Sequence, residues 1–363
     1  MGAQAYIMTP LAVNMVARIA RMGPISVAEF MTECLLHPKY GYYTTRDPLG
    51  VAGDFTTAPE ISQMFGELLG LWIAQTWLDQ GRPAYFMLVE LGPGRGTLMA
   101  DVMRATASVP GFHKAATLHL VEASPVLRDL QTAALSAHKI TFYDHLGGVP
   151  DGPTYLLANE FFDALPIRQF QRSTQGWQER QIGVADGQLI WGLAPEHEIE
   201  ALADRVADTG PGQLVELNAP ALPLAQEIGR RIAVHGGAAL IIDYGEAESI
   251  GDTLQAVQSH QFVDALACPG QADLTAHVAF GPLVRAANVA RASALIPQGL
   301  FLERLGITER AQILAKNLGA TALVSHIAAH RRLTHPEEMG TLFKVMALTP
   351  YAAPLPPGLE PVA

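Results

Sequence analysis

The sequence predicts an α/β fold built on a doubly wound, mostly parallel sheet. Short apolar runs at 85–90, 117–122, 140–143 and 155–158 alternate with helical apolar spacing. That alternation marks strand–helix–strand units. The first run ends at Glu90 and passes through Gly92, Pro93, Gly94 and Gly96 into a helical pattern starting at Thr97. The sheet resumes at 238–243, and 342–348 reads as a late strand.

The elements follow in order. Residues 1–84 read as a mainly helical region packing on the core, with apolar helical spacing over 11–22 and 26–36. His37-Pro38 stops the second helix, and Pro59 suits the first position of a later one. Gly66 and Gly70 lie four apart and predict a close-packing face. Residues 85–348 form the core, with an insertion over 168–234 after the fourth strand. Within it, 168–171, 176–182 and 188–191 alternate like short antiparallel strands, and 198–206 has a polar helical pattern. Helical patterns return at 281–290 and 308–318. Residues 349–363 carry five prolines and read as a loose tail.

Composition narrows the function. The 363 residues suffice for one large or two ordinary domains. Lys+Arg is 24 against Asp+Glu 35, a net charge of −11. With no basic run, the chain is a poor candidate for nucleic-acid binding and suits a basic protein partner. Cys34 and Cys268 have no metal spacing and read as free thiols of a reducing compartment. No apolar run approaches the ~18 residues of a membrane span, and no secretory signal is seen. The stretch 11–22, with Arg18 and Arg21, could mimic a mitochondrial presequence. It is short and runs directly into structured sequence, so a bacterial-type cytoplasmic protein is expected, with the mitochondrial matrix as the second reading.

The glycine turn carries the chemistry. Glycine lets a backbone turn sharply and a ligand approach without a Cβ in the way. The helix start adds unpaired N–H groups and partial positive charge. Dinucleotide folds use Gly-x-Gly-x-x-Gly. Here the spacing is Gly-x-Gly-x-Gly with Glu90 two residues ahead. This pattern resembles the first motif of class I (Rossmann-like) methyltransferases that use S-adenosylmethionine. Their cofactor is a sulfonium with a cationic amino group, which an acidic residue complements. An ordinary strand–helix turn and another kind of nucleotide site are the alternatives.

In open α/β sheets ligands sit beyond the carboxyl ends of the strands. The second strand ends at Glu122, a candidate acceptor for ribose hydroxyls, followed by Ser124-Pro125 as a helix start. The third ends near Asp144, which either accepts from an adenine amino group or lies in a surface turn. The fourth ends in Asn159, Glu160 and Asp163 around two phenylalanines. An amide and two acids there are costly to bury without partners, and the resemblance to class I methyltransferases implies that this edge faces the methyl acceptor. Asp273 and His277, four apart, would share a face on a helix.

The run Asn159 to Pro166 is similar to the signature of the MidA family of methyltransferases, relatives of a mitochondrial complex I assembly factor. His37–Tyr43, Gly53–Ser62, Glu90–Gly96, Asp273–Val278 and Met339–Val345 agree with it. The likeness spans about residues 20–348. It implies a class I fold with family-specific additions, S-adenosylmethionine as cofactor, and a protein substrate, namely an arginine of a complex I subunit during assembly. Arginine stays protonated in proteins, so its methylation needs carboxylates to hold the fork and free one nitrogen lone pair. Glu160, Asp163 and Asn159 are the candidate catalytic residues. Gly53, Thr56, Thr57, Glu90, Gly92, Pro93, Gly94, Gly96, Glu122, Ser124 and Asp144 are the candidate cofactor residues, with Thr56-Thr57 feeding a helix start that could receive the methionine carboxylate. The competing readings are a chaperone that binds the cofactor without turnover and a nucleotide-dependent oxidoreductase.

Overall fold

The computed structural model describes residues 8–45 and 56–362. Gly53 lies outside them. The chain divides into two compact units. One comprises 1–55, 163–221 and 248–279; the other comprises 56–162, 222–247 and 280–363. Contacts therefore cut the chain elsewhere than at 84/85, and residues from Leu222 of the expected insertion join the second unit. The reason lies in helix Gln63–Asp79, which buries Phe65, Leu69, Trp72 and Ile73 in the second unit's core.

That second unit is organised by one large sheet. Its main strands are β1 (Phe86–Leu91), β2 (Ala116–Val121), β3 (Ile140–Tyr143), β4 (Thr154–Asn159), β5 (Gly237–Glu246) and β6 (Phe343–Thr349). They lie in the order β6-β5-β4-β1-β2-β3. β1 to β5 are mutually parallel, whereas β6 runs antiparallel to β5. The chain leaves β1 toward β2 and β3, then crosses back to β4 on the other flank. The β1/β4 boundary is thus a topological switch point, where a crevice opens beyond the strand ends. All six residues of β1 are buried, the pattern expected of a strand covered on both faces.

Helix Gln63–Asp79 packs closely on Thr97–Thr106, and its glycines explain how. A Cβ at Gly66 would stand 2.5 Å from Asp101 Cβ, and one at Gly70 would stand 2.9 Å from Val102 Cα. Trp77, Phe86, Phe112 and Tyr155 form a tilted and edge-to-face cluster beneath β1, with Phe86 and Tyr155 centroids 5.0 Å apart. Each such side chain contributes roughly 1.5–3 kcal/mol by burial. Helix Ala320–Thr334, which the sequence reading did not assign, is mostly exposed and buries Leu333. Among the described residues no helix is long and apolar enough to cross a membrane.

The first unit is built differently. Helices Pro10–Met22 and Val27–Leu36 begin with side-chain caps, Thr9 for the first and a Ser26/Glu29 capping box for the second. Leu11, Met15 and Ile19 line one buried face. The sheet is antiparallel: Arg168–Arg172 lies between Trp177–Ala185 and Leu214–Leu217, while Trp177–Ala185 also pairs with Ile25–Ser26 and Gln188–Leu193. Residues 198–206 form only two 3₁₀ turns. Asp273 and His277 do not share a helix: Asp273–Thr275 is a strand paired with Gln255–Val257, which buries Leu274, and His277 follows it. Both cysteines are buried, and neither forms a disulfide.

Candidate active site

The glycine turn caps β1 at the switch point. Gly92, Gly94 and Gly96 have φ of 59°, 56° and 83°, values an L side chain rarely adopts. Gly92 donates its N–H to the Val121 carbonyl, 3.0 Å away on β2. A Cβ on Gly92 would lie 2.8 Å from the Phe161 ring, and one on Gly96 would lie 3.3 Å from Gln131 Cα. The turn is thus wedged between the β4 exit and helix Pro125–Ala134.

Two buried acids face this turn from β1 and the end of β2. Glu90 is 3% exposed, and its Oε2 has no hydrogen-bond partner among the described residues. Burial, with the charge of Glu122 added, pushes its carboxyl up to about 8. Glu122 accepts from the Ser124 N–H at 2.7 Å and from Gln131 Nε2 at 3.2 Å. Burial raises its pKa as well, opposed by those hydrogen bonds. Ser124 caps helix Pro125–Ala134 by accepting from Leu127 N–H. The sequence reading missed Gln131: its Nε2 also donates to the Gly94 carbonyl at 2.8 Å, tying Glu122 to the turn. Gln131 lies in the second turn of helix Pro125–Ala134, and nothing nearby in the sequence marks it.

Asp144 has an 81% exposed side chain that pairs through one oxygen with Arg128 at 2.6 Å. Arg128 also donates to the Glu122 carbonyl at 2.8 Å, so Asp144 is tied to the end of β2 and keeps its second oxygen as an acceptor.

The fourth-strand exit stands beside the turn. Glu160 has φ of 50°, uncommon for a residue with a Cβ. Its Oε1 accepts from the Ala58 N–H at 2.8 Å and from Asn159 Nδ2 at 3.2 Å. Asn159 Oδ1 is buried with no partner among the described residues. Thr57 precedes helix Ala58–Ile61, and its side chain makes no capping bond. Glu60 of that helix accepts from Thr97 Oγ1, at the start of the helix after the glycine turn. Ala58 and Glu60 thereby tie this short helix to the β4 exit and to the helix after the glycine turn. The expected use of the helix start for a carboxylate is reduced, since the Ala58 N–H already donates to Glu160.

Another missed residue is Asp243 on β5. It is fully buried; its Oδ2 accepts from the N–H groups of Phe161 (3.2 Å) and Phe162 (3.0 Å), and its Oδ1 from that of Tyr244 (3.0 Å). Asp163, next in the chain, belongs to the first unit. There its carbonyl accepts from Ala276 N–H at 3.0 Å. Tyr43 donates to Asp273 at 2.7 Å. Burial first, then the charges of Asp273 and Asp163, hold the Tyr43 hydroxyl well above its ordinary range.

A glycine turn at the switch point of a parallel sheet, flanked by buried acids rather than a phosphate-binding fingerprint, defines the site of a methyltransferase. The chain belongs to the family of S-adenosyl-L-methionine-dependent methyltransferases, whose profile matches residues 68–298. It is 38% identical to the mitochondrial protein arginine methyltransferase NDUFAF7 of Mus musculus, over 96% of this chain and 86% of that protein. The Homo sapiens protein of that name is 37% identical, over 94% and 84%. A crystal structure from Burkholderia thailandensis bound to S-adenosyl-homocysteine superposes with a TM-score of 0.84 at 27% identity, covering 98% of this chain and 97% of that one. The family resemblance read from the motifs therefore holds, and the chain stands among methyltransferases rather than oxidoreductases. The cytoplasmic expectation is overturned, because these curated relatives are mitochondrial by name.

The residues present fit S-adenosylmethionine. Glu90 Oε2 is a buried acceptor lacking a donor among the described residues, and such an atom is costly unless something binds it. Two neighbouring buried carboxylates, Glu90 and Glu122, repel each other, a tension that a cation relieves.

Proposed function

We propose that this chain methylates an arginine side chain of a protein, a respiratory complex I subunit during assembly, in a mitochondrial setting like that of its named relatives. The observation that carries the arginine reading is 38% identity to a protein arginine methyltransferase over 96% of the chain. The complex I subunit follows from the MidA resemblance, and the net charge of −11 suits a basic target region.

Gly92, Pro93, Gly94 and Gly96 would hold the cofactor, with Glu122 toward the ribose, Glu90 toward the cationic end, and Ser124, Thr56 and Thr57 lining the pocket. The cofactor supplies an electrophilic methyl group on a sulfonium. Glu160 and Asp163, with the Asn159 amide, hold the guanidinium fork through charge-assisted hydrogen bonds. They draw positive charge onto the two spectator nitrogens, so the third keeps its lone pair for an in-line approach. A carboxylate takes the proton that this nitrogen sheds. The rest is alignment, with reacting atoms about 3–3.5 Å apart.

The test offers labelled cofactor and enzyme either the unassembled subunit or an arginine-replaced version. Label only on the first is expected. Equal labelling excludes arginine; no labelling of either favours a chaperone that binds cofactor without turnover. Asp163→Asn should lower methylation while cofactor binding survives.

A further inference from the structure

We propose that Asp243 is a positioning residue for methyl transfer, one that holds the β4 exit in the shape that aims Glu160. The proposal rests on the reading of Glu160 as an acceptor-site residue.

The β4 exit has a geometric problem. Glu160 still donates its N–H to the Ile242 carbonyl of β5 at 2.9 Å. Its own φ of 50° then turns the chain out of the sheet, so Phe161 and Phe162 lose the ladder that would have taken their N–H groups. Asp243, one residue beyond Ile242, supplies the missing acceptor, with one oxygen on both amides. Its second oxygen fixes Tyr244. Strained backbone persists only where its surroundings over-determine it. Here the fully buried carboxylate provides that determination from the neighbouring strand.

A buried carboxylate is a costly way to end a strand. What it secures is local to the site. The turn it holds sets Asn159 and Glu160, places Glu160 Oε1 on Ala58 N–H, and presses the Phe161 ring against Gly92. One side chain thus fixes the acceptor-side acid and one wall of the glycine turn. Asparagine has the same shape but would point an amide N–H₂ at N–H donors on one side, so at least one bond is lost.

The experiment compares Asp243→Asn, Glu160→Gln and the double variant, using the full chain, the complex I subunit and labelled cofactor. Asp243→Asn should lower kcat about 100-fold, the effect of misplacing a reacting group by about an ångström, with cofactor affinity held within about threefold. On a Glu160→Gln background the same change should cost much less, because both act through one turn. Unchanged kcat, or losses that multiply independently, would overturn the proposal. Unchanged methylation in Glu160→Gln alone would instead reject the acceptor-site reading beneath it. Hydrogen exchange on the wild-type protein decides the matter even if Asp243→Asn does not fold. The Phe161 and Phe162 amides should exchange as slowly as those of β4, and exchange at loop rates overturns the proposal.

Discussion

Two turns leave the same edge of the sheet, one after β1 and one after β4, and they handle backbone strain in opposite ways. The first places glycine at its three left-handed positions, so the strain is never incurred. The second puts Glu160 at φ of 50° and holds it with Asp243, 81 residues from Phe162, and with Ala58, 102 residues from Glu160. A turn relieved by glycine can be read locally. A turn restrained from far along the chain cannot, and its residues are chosen for what their side chains do.

The largest expected effect breaks the first turn. Gly94→Val puts a β-branched residue at φ of 56°, an outlier for such a side chain. It should abolish cofactor binding in calorimetry while the protein stays folded by circular dichroism. Retained affinity would mean that this turn does not seat the cofactor.

This contrast also explains what was legible. Gly66 and Gly70 announced their close packing because only an absent Cβ admits Asp101 and Val102. The strands of the large sheet and the cap at Ser124 are likewise local patterns. Gln131 and Asp243 were not recognised as site residues. Each works through hydrogen bonds to backbone atoms distant in sequence, and neither residue type is unusual in its own element. Asp144 shows a related limit: its position at a strand end was visible, but its Arg128 partner 16 residues earlier was not. The two-unit division was hidden because each unit is assembled from three separated segments.

A second prediction sharpens the electrostatics of the first turn. Folded Glu90 keeps its proton to about pH 8, whereas unfolded it loses it near 4.5. Between those values the folded state binds the extra proton, so this group's contribution to apo stability falls as pH rises. A cation beside Glu90 favours the ionised form. Cofactor binding therefore expels the proton below pH 8, and affinity should climb with pH by up to about tenfold per unit before levelling off. Glu90→Gln should lose most of that slope. Calorimetry in buffers of different ionisation heat reads the released proton directly, and an equally steep slope in the variant would remove Glu90 from the cationic end.

A smaller effect is expected at Gln131→Ala. The change strands the Gly94 carbonyl and removes one donor from Glu122. A buried polar group left without its partner costs about 1–3 kcal/mol. Cofactor affinity should fall about tenfold if the cost is felt in the turn. A loss seen only in thermal stability, with affinity intact, would show that Gln131 props the helix rather than the cofactor turn.

The smallest effect tests whether the segment before Ala58 belongs to the first turn's ligand or only to the second turn's scaffold. Threonine before a helix usually caps it, and its loss then costs about 1 kcal/mol. Thr57 occupies that position, yet its side chain makes no capping bond. The Ala58 N–H donates instead to Glu160. Thr57→Ala should therefore change stability by less than about 0.5 kcal/mol, as for a surface substitution. If the hydroxyl reaches the cofactor, one hydrogen bond of about 0.5–1.5 kcal/mol is lost, a two- to roughly tenfold fall in affinity. Calorimetry paired with thermal unfolding separates the outcomes. Weaker binding at constant stability assigns Thr57 to the cofactor. Constant binding leaves the segment as scaffold for Glu160, and the two turns then share a wall but not a ligand.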